Sequence, residues 1–355
     1  MSNIKKIQQA MSNAGLPAML LSDEVARLYA SSFAATDGAM LVLPSSAYFI
    51  ADSRYIEVAR EQVEDAEVLL STSENTEKNI LKSILAEHNI HELGAEENRL
   101  SYGEYLRIQE ALGVKLIPAQ RIIDTLRETK ERYEVDNMVA AQRIAEKALD
   151  TVLGIIKPGL TEKQVAAELE YHMAKNGAEG LSFETICVAG ANSSRPHGVP
   201  SGYKLQNGDF ITMDFGCKIN GYCSDMTRTV ALGSATDEMR KIYAVVLEAQ
   251  LAAIAAARPG AIGREVDKAA RDIIEKAGYG DCFGHGLGHS VGLYIHENPN
   301  ANSRETRALP EGAVITSEPG IYLPGKFGVR IEDMIYLTGN GCENLTLAPK
   351  NLIIL

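Results

Sequence analysis

The chain has 355 residues, 45% of them hydrophobic and 23% charged, with 30 glycines and 12 prolines, a balance that excludes fibrous and intrinsically disordered classes. Single cores stop growing near roughly 250–300 residues, so two domains are expected. With 35 Lys+Arg against 47 Asp+Glu the formal charge is -12 and no basic run tracks a phosphate backbone, so nucleic acid is not an expected partner.

Met1 to Leu16 reads as a short amphipathic helix with Lys5 and Lys6, lacking the apolar stretch and cleavage site of a signal peptide. No run approaches the roughly 18 apolar residues of a membrane span. The five cysteines, Cys187, Cys217, Cys223, Cys282 and Cys342, are odd in number and contain no Cys-x-x-Cys pair, which fits reduced thiols rather than a disulfide framework or a zinc knuckle. A cytoplasmic protein is the expectation.

Four short apolar runs, Pro17–Leu21, Ala39–Leu43, Ala47–Ile50 and Ala66–Leu70, read as strands. Helical periodicity covers Tyr55–Val63, Glu77–His88 and Tyr102–Leu112, so the first third is an α/β domain. The charged stretch Arg127-Glu-Thr-Lys-Glu-Arg132 leads into a long helical segment through Leu153, and the expected domains are 1–130 and 131–355.

The second domain contains a repeat. Lys157-Pro158-Gly159, Val165, Lys175 and Gly177 recur as Arg258-Pro259-Gly260, Val266, Lys276 and Gly278, displaced by 101 residues. Asn207-Gly208 to Asp214-Phe-Gly216 parallels Glu311-Gly312 to Glu318-Pro-Gly320, displaced by 104. Gly221 to Asp225 parallels Gly328 to Glu332, displaced by 107. Each half therefore supplies two carboxylates from matching strands, and packing about a pseudo-twofold axis would gather all four.

Asn220-Gly221 is a strong two-residue hairpin signal, because both central positions of a type I′ turn need positive φ. With that loop Ile219 faces Tyr222 and Asp214 faces Thr227, and strand parity sets Asp214 and Asp225 diagonally on one face, Cβ atoms under about 7–8 Å apart. Two anions that close repel unless a cation neutralises them, which points to a metal. Cys223 shares that face in this register, which leaves thiol coordination open.

Three of the seven histidines lie in Gly284-His285-Gly-Leu-Gly-His289 and the following Ser290 to His296. Glycine at that density is poor core material and lets imidazoles be aimed at a ligand. His172, on an Ala/Glu-rich helix, and His88 and His91 read as structural or exposed.

The spacing Asp214, Asp225, His289, Glu318, Glu332, within Met213-Asp-Phe-Gly216, Ser224-Asp-Met-Thr-Arg-Thr229, Ser317-Glu-Pro-Gly320 and Val329-Arg-Ile-Glu-Asp333, resembles the pita-bread metallopeptidases, among them aminopeptidase P, prolidase and methionine aminopeptidase. Ala51-Asp-Ser-Arg-Tyr55 resembles their creatinase-type N-terminal domain, with one departure: Ser32 stands before Phe33 where relatives usually have glycine. The resemblance implies an α/β creatinase-type domain plus an α+β pita-bread catalytic domain with an internal pseudo-twofold repeat. It also implies two divalent metal ions, a proline-containing peptide substrate and a homodimer.

Carried over by resemblance, Asp214 chelates one ion, Asp225 and Glu332 bridge both, and His289 with Glu318 completes the other. Glu318 also accepts the proton of the attacking water, His197 and His296 face the substrate, and His285 matches the extra histidine of the proline-directed members. Arg330 resembles a substrate-binding arginine or one that supports a ligand. Oxygen-rich donors suit manganese, with cobalt or zinc as alternatives. Xaa-Pro aminopeptidase is the first expectation and Xaa-Pro dipeptidase the alternative. A non-catalytic binding module or creatinase is disfavoured by the complete ligand set, and methionine aminopeptidase by the N-terminal domain.

Overall fold

A computed structural model describes residues 1–339 and 341–355 and divides the chain into two units, Met1–Leu126 and Arg127–Leu355. The first contains α1 (Asn3–Asn13), β1 (Met19–Leu21), α2 (Glu24–Ser31), β2 (Ala39–Val42), β3 (Ala47–Ala51) and α3 (Ile56–Gln62). It continues with β4 (Glu67–Leu70), α4 (Glu77–Glu87), β5 (Glu92–Ala95), α5 (Tyr102–Leu112), β6 (Lys115–Pro118) and α6 (Gln120–Arg127). Its six strands form one sheet in the order β4-β3-β2-β1-β5-β6, with β1–β2 and β2–β3 antiparallel and the other pairs parallel.

The four strands expected from apolar runs are β1 to β4, whereas β5 and β6 carry no such signal. Glu92-Leu-Gly-Ala95 is short, and a Cβ on its Gly94 would sit 2.4 Å from Leu16 Cδ2 and 3.0 Å from Ala119 Cβ. Past β5, Glu96 accepts the amides of Ser22 and Asp23, and Glu97 those of Ala119 and Gln120. Two consecutive acids thus satisfy the chain leaving both flanking strands. Helix α2 ends at Ser32 with φ 58°, the left-handed C-cap position that glycine takes without strain.

In the second unit, α7 (Arg132–Leu153), α8 (Glu162–Lys175), β7 (Gly180–Leu181), β8 (Ile186–Ala189), β9 (Phe210–Phe215), β10 (Cys217–Ile219), β11 (Tyr222–Cys223) and β12 (Met226–Ala231) make the first half. The second half has α9 (Asp237–Ala256), α10 (Gly263–Lys276), β13 (Gly288–Ser290), β14 (Glu297–Ala301), β15 (Val314–Ser317), β16 (Gly320–Leu323), β17 (Phe327–Arg330), β18 (Asp333–Thr338) and β19 (Gly341–Asn344). In each half a helix pair precedes a strand and a bent hairpin, and β9 lies between β8 and β12 as β15 lies between β13 and β18. The pita-bread fold with its pseudo-twofold repeat is this arrangement. Val165, Leu169 and Met213 lie in one apolar core, Val266, Ile274 and Ile315 in the other.

The first hairpin pairs Ile219 with Tyr222 and Asp214 with Thr227, and Asn220 and Gly221 have φ of 48° and 76° as the turn demands. It bends at Gly216, where a Cβ would lie 1.9 Å from the Ser224 carbonyl oxygen, so β10 and β11 leave the sheet of β9 and β12. The second hairpin bends likewise after Ser317, with Ser317 opposite Asp333 and Gly320 opposite Arg330. Continued, that register sets Glu318 across from Glu332, two residues away from the diagonal relation of Asp214 and Asp225.

Candidate metal centre

The bends position the acids. Asp214 lies at the end of β9 and Asp225 just before β12, while Glu318 follows β15 and Glu332 precedes β18. His289 comes from β13, which pairs with β15. Its Nε2 lies 3.6 Å from Asp225 Oδ2 and 3.4 Å from Glu318 Oε1. One donor atom each from Asp225, His289 and Glu332 falls within 4.8 Å of the others.

Burial raises the carboxyl of Asp225 well above the ordinary range, reinforced by Glu332, Asp214 and Glu318. Glu332 is raised in the same way, by burial and then by Glu318 and Asp214. Burial pushes Glu318 up to about 8, against the pull of Arg330, and raises Asp214 as well. The acids cannot all ionise together at neutral pH without a cation. The Nδ1–H of His289 donates to the Ser290 carbonyl at 3.2 Å, which leaves Nε2 with a lone pair directed at carboxylate oxygens that also have only lone pairs to offer. Among the described residues Asp214 Oδ1 is buried with no partner. These donors fit divalent metal ions, and neither geometry nor charge is satisfied without them.

Supporting contacts surround the acids. Arg330 is buried, and its guanidinium donates to Asp214 Oδ2 at 2.6 Å, Thr227 Oγ1, the Tyr322 hydroxyl and the Pro196 carbonyl. The Thr227 hydroxyl donates in turn to Glu332 Oε2 at 2.7 Å. His285 is held at both nitrogens, Nδ1–H by the Gly286 carbonyl at 2.8 Å and Nε2 by the Tyr322 hydroxyl at 2.9 Å. Burial and then the Arg330 charge lower its pKa to about 4, so the ring is neutral. His285 thus ends a chain from Asp214 through Arg330 and Tyr322, with no nitrogen left to face a substrate. His289 and His296 rings meet edge to face at 4.4 Å, and His197 is exposed.

Cys223 does not join the cluster, contrary to the parity reading; its Sγ lies 3.7 Å from the Leu293 carbonyl. Parity does not carry across the Gly216 bend.

A cleft of about 990 Å³ opens over the acids, lined also by His197, His285, His296, Phe183, Val199 and Ile295. Glu162, fully buried, accepts from Ala189 N, Ser201 N, Ser201 Oγ and Asn192 Nδ2, fastening both ends of the loop that carries His197. Arg304 lines the rim, exposed, and no acidic partner holds its guanidinium among the described residues. Its polar loop gives no sequence signal. Tyr322 and Thr227 were equally unsignalled, since their roles arise from contacts across the fold.

Residues 136–339 match metallopeptidase family M24, and residues 3–129 match the creatinase/prolidase N-terminal domain. An Xaa-Pro dipeptidase of Pyrococcus horikoshii is 35% identical over 99% of this chain and 98% of that protein. Among solved structures, the Xaa-Pro dipeptidase from Bacillus anthracis superposes with a TM-score of 0.96 at 40% identity, covering 99% of each chain. The X-Pro aminopeptidase from Thermotoga maritima gives 0.93 at 36% identity, covering 98% of this chain and 100% of that one. Among the described residues no helix is long and apolar enough to cross a membrane.

Proposed function

The chain belongs to metallopeptidase family M24, and from that premise we propose that it is a metal-dependent Xaa-Pro dipeptidase. The observation that carries the reading is the cluster of Asp214, Asp225, His289, Glu318 and Glu332 in a chain similar to dipeptidases over its full length. From sequence alone, removal of a residue from longer peptides stands first; the full-length dipeptidase relatives shift the balance to dipeptides. A rim cation with no acidic partner among the described residues supports the same shift, because a dipeptide presents the free carboxylate of its proline and Arg304 offers a fork to receive it.

In this reading the five residues hold two divalent ions, manganese first by the chemistry of the donors and cobalt or zinc also accepted. When bound, the ions supply Lewis acidity, acidifying a water and polarising the scissile carbonyl. Glu318, beside the position of the ions, would accept the proton that the attacking water loses. His197 and His296 hydrogen-bond the substrate and the oxyanion that develops on its carbonyl. Arg330 keeps Asp214 oriented and Thr227 does so for Glu332.

The test is turnover of an Xaa-Pro dipeptide against an Xaa-Pro-Xaa-Xaa tetrapeptide in manganese buffer. Dipeptide preference is expected, with Arg304→Ala raising its KM about 10–100-fold at little change in kcat. Faster cleavage of the tetrapeptide would establish the aminopeptidase reading instead.

A further inference from the structure

Behind the acids lies a buried polar hub that the chemistry above does not use. Arg228 is 2% exposed, and its guanidinium donates to the carbonyls of Thr227, Glu332, Ala348 and Pro349 and to Asp333 Oδ1 at 2.8 Å. Asp333, fully buried, also accepts from Gln250, Asn344 and Lys350.

These contacts join the two halves. Thr227 faces Asp214 in the first half, and the continued register sets Glu332 across from Glu318 in the second. Thr227 donates to Glu332 and Arg228 to Asp333, so two consecutive residues of one half bind two consecutive residues of the other and close the seam between them.

We infer that Arg228 and Asp333 are positioning residues for the metal centre, the clasp that sets the separation of Asp225 and Glu332, which come from opposite halves. The inference rests on the two-ion reading. Glu332 is held at three points, its carbonyl by Arg228, its N–H by the Thr227 carbonyl at 3.1 Å and its carboxylate by the Thr227 hydroxyl. An apolar pair would fill the same seam and often stabilise as well as a buried ion pair. It could not fix backbone oxygens in place, which takes a planar fork of donors. A small opening of the seam separates the two acids while leaving each half folded on its own core.

The experiment uses the full chain charged with Mn²⁺, reading bound ions by equilibrium dialysis and the exchange-coupled two-ion signal by electron paramagnetic resonance. Arg228→Lys keeps charge but removes the fork; Asp333→Asn keeps shape but removes charge. Each is expected to retain the wild-type circular dichroism, to bind one of the two ions about 10–100-fold more weakly, and to lose the coupled signal. If Arg228→Lys does not fold, Asp333→Asn gives the same readout. Variants that hold two coupled ions as tightly as wild type, whatever their melting temperature, overturn the clasp. Wild-type protein that binds no divalent ion overturns the two-ion reading instead.

Discussion

His285 and His289 stand four residues apart in a glycine-rich segment, yet their ring nitrogens have different surroundings. His289 turns a bare Nε2 toward Asp225 and Glu318, while His285 spends both nitrogens on Gly286 and Tyr322. His289→Ala is therefore expected to lose metal as well as rate. His197→Ala and His296→Ala should keep metal and lose about 10²–10³-fold in kcat, the size of one lost oxyanion donor. His285→Ala should keep metal and act through Tyr322 and Arg330, lowering activity less than either. Metal analysis with steady-state kinetics on the four variants checks this, and metal lost in His285→Ala but kept in His289→Ala would reverse the assignment. The acids were legible because they recur in duplicated blocks, and His285, His289 and His296 because they share one glycine-rich segment. The Arg304 rim, the Tyr322 link and the displacement of Cys223 were not, because each depends on a bend or on a partner far away in sequence.

At the scale of elements, apolar runs revealed β1 to β4 and the turn residues revealed the first hairpin, whereas β5 and β6 are four-residue strands whose pairing is decided by tertiary packing. Ser32 shows how a local departure becomes physical: a left-handed C-cap without glycine. Ser32→Gly is expected to stabilise the first unit by about 0.5–1 kcal/mol, measured by urea unfolding. A destabilising result would show that the Ser32 side chain contributes something its backbone strain does not outweigh. Glu96 makes the same unit sensitive to pH. Burial raises its carboxyl to about 7 from 4.5, the ordinary value that the unfolded chain keeps. The folded state thus binds the proton more tightly, so its contribution is full below pH 4.5 and is lost as pH rises through 7. Glu96→Gln should remove up to about 3 kcal/mol of that pH dependence between pH 5 and pH 8, and an unchanged profile would place the sensitivity elsewhere.

In the molecule as a whole, duplication makes the site, since neither half holds more than two of the four acids. The repeat was readable as displacements of 101, 104 and 107 residues. The two-residue difference in hairpin register was not, because it appears only once strands pair. Filling the site should relieve the repulsion among buried carboxylates, so saturating Mn²⁺ is expected to raise the melting temperature of dialysed protein by several degrees. Equal melting with and without the ion would mean that the acids do not bind it when folded. The most direct measurement is hydrolysis of an Xaa-Pro dipeptide by exhaustively dialysed protein, in excess chelator and after Mn²⁺ is restored. No turnover in chelator and full recovery with the metal are expected if the five residues hold catalytic ions. Undiminished turnover in chelator would contradict it.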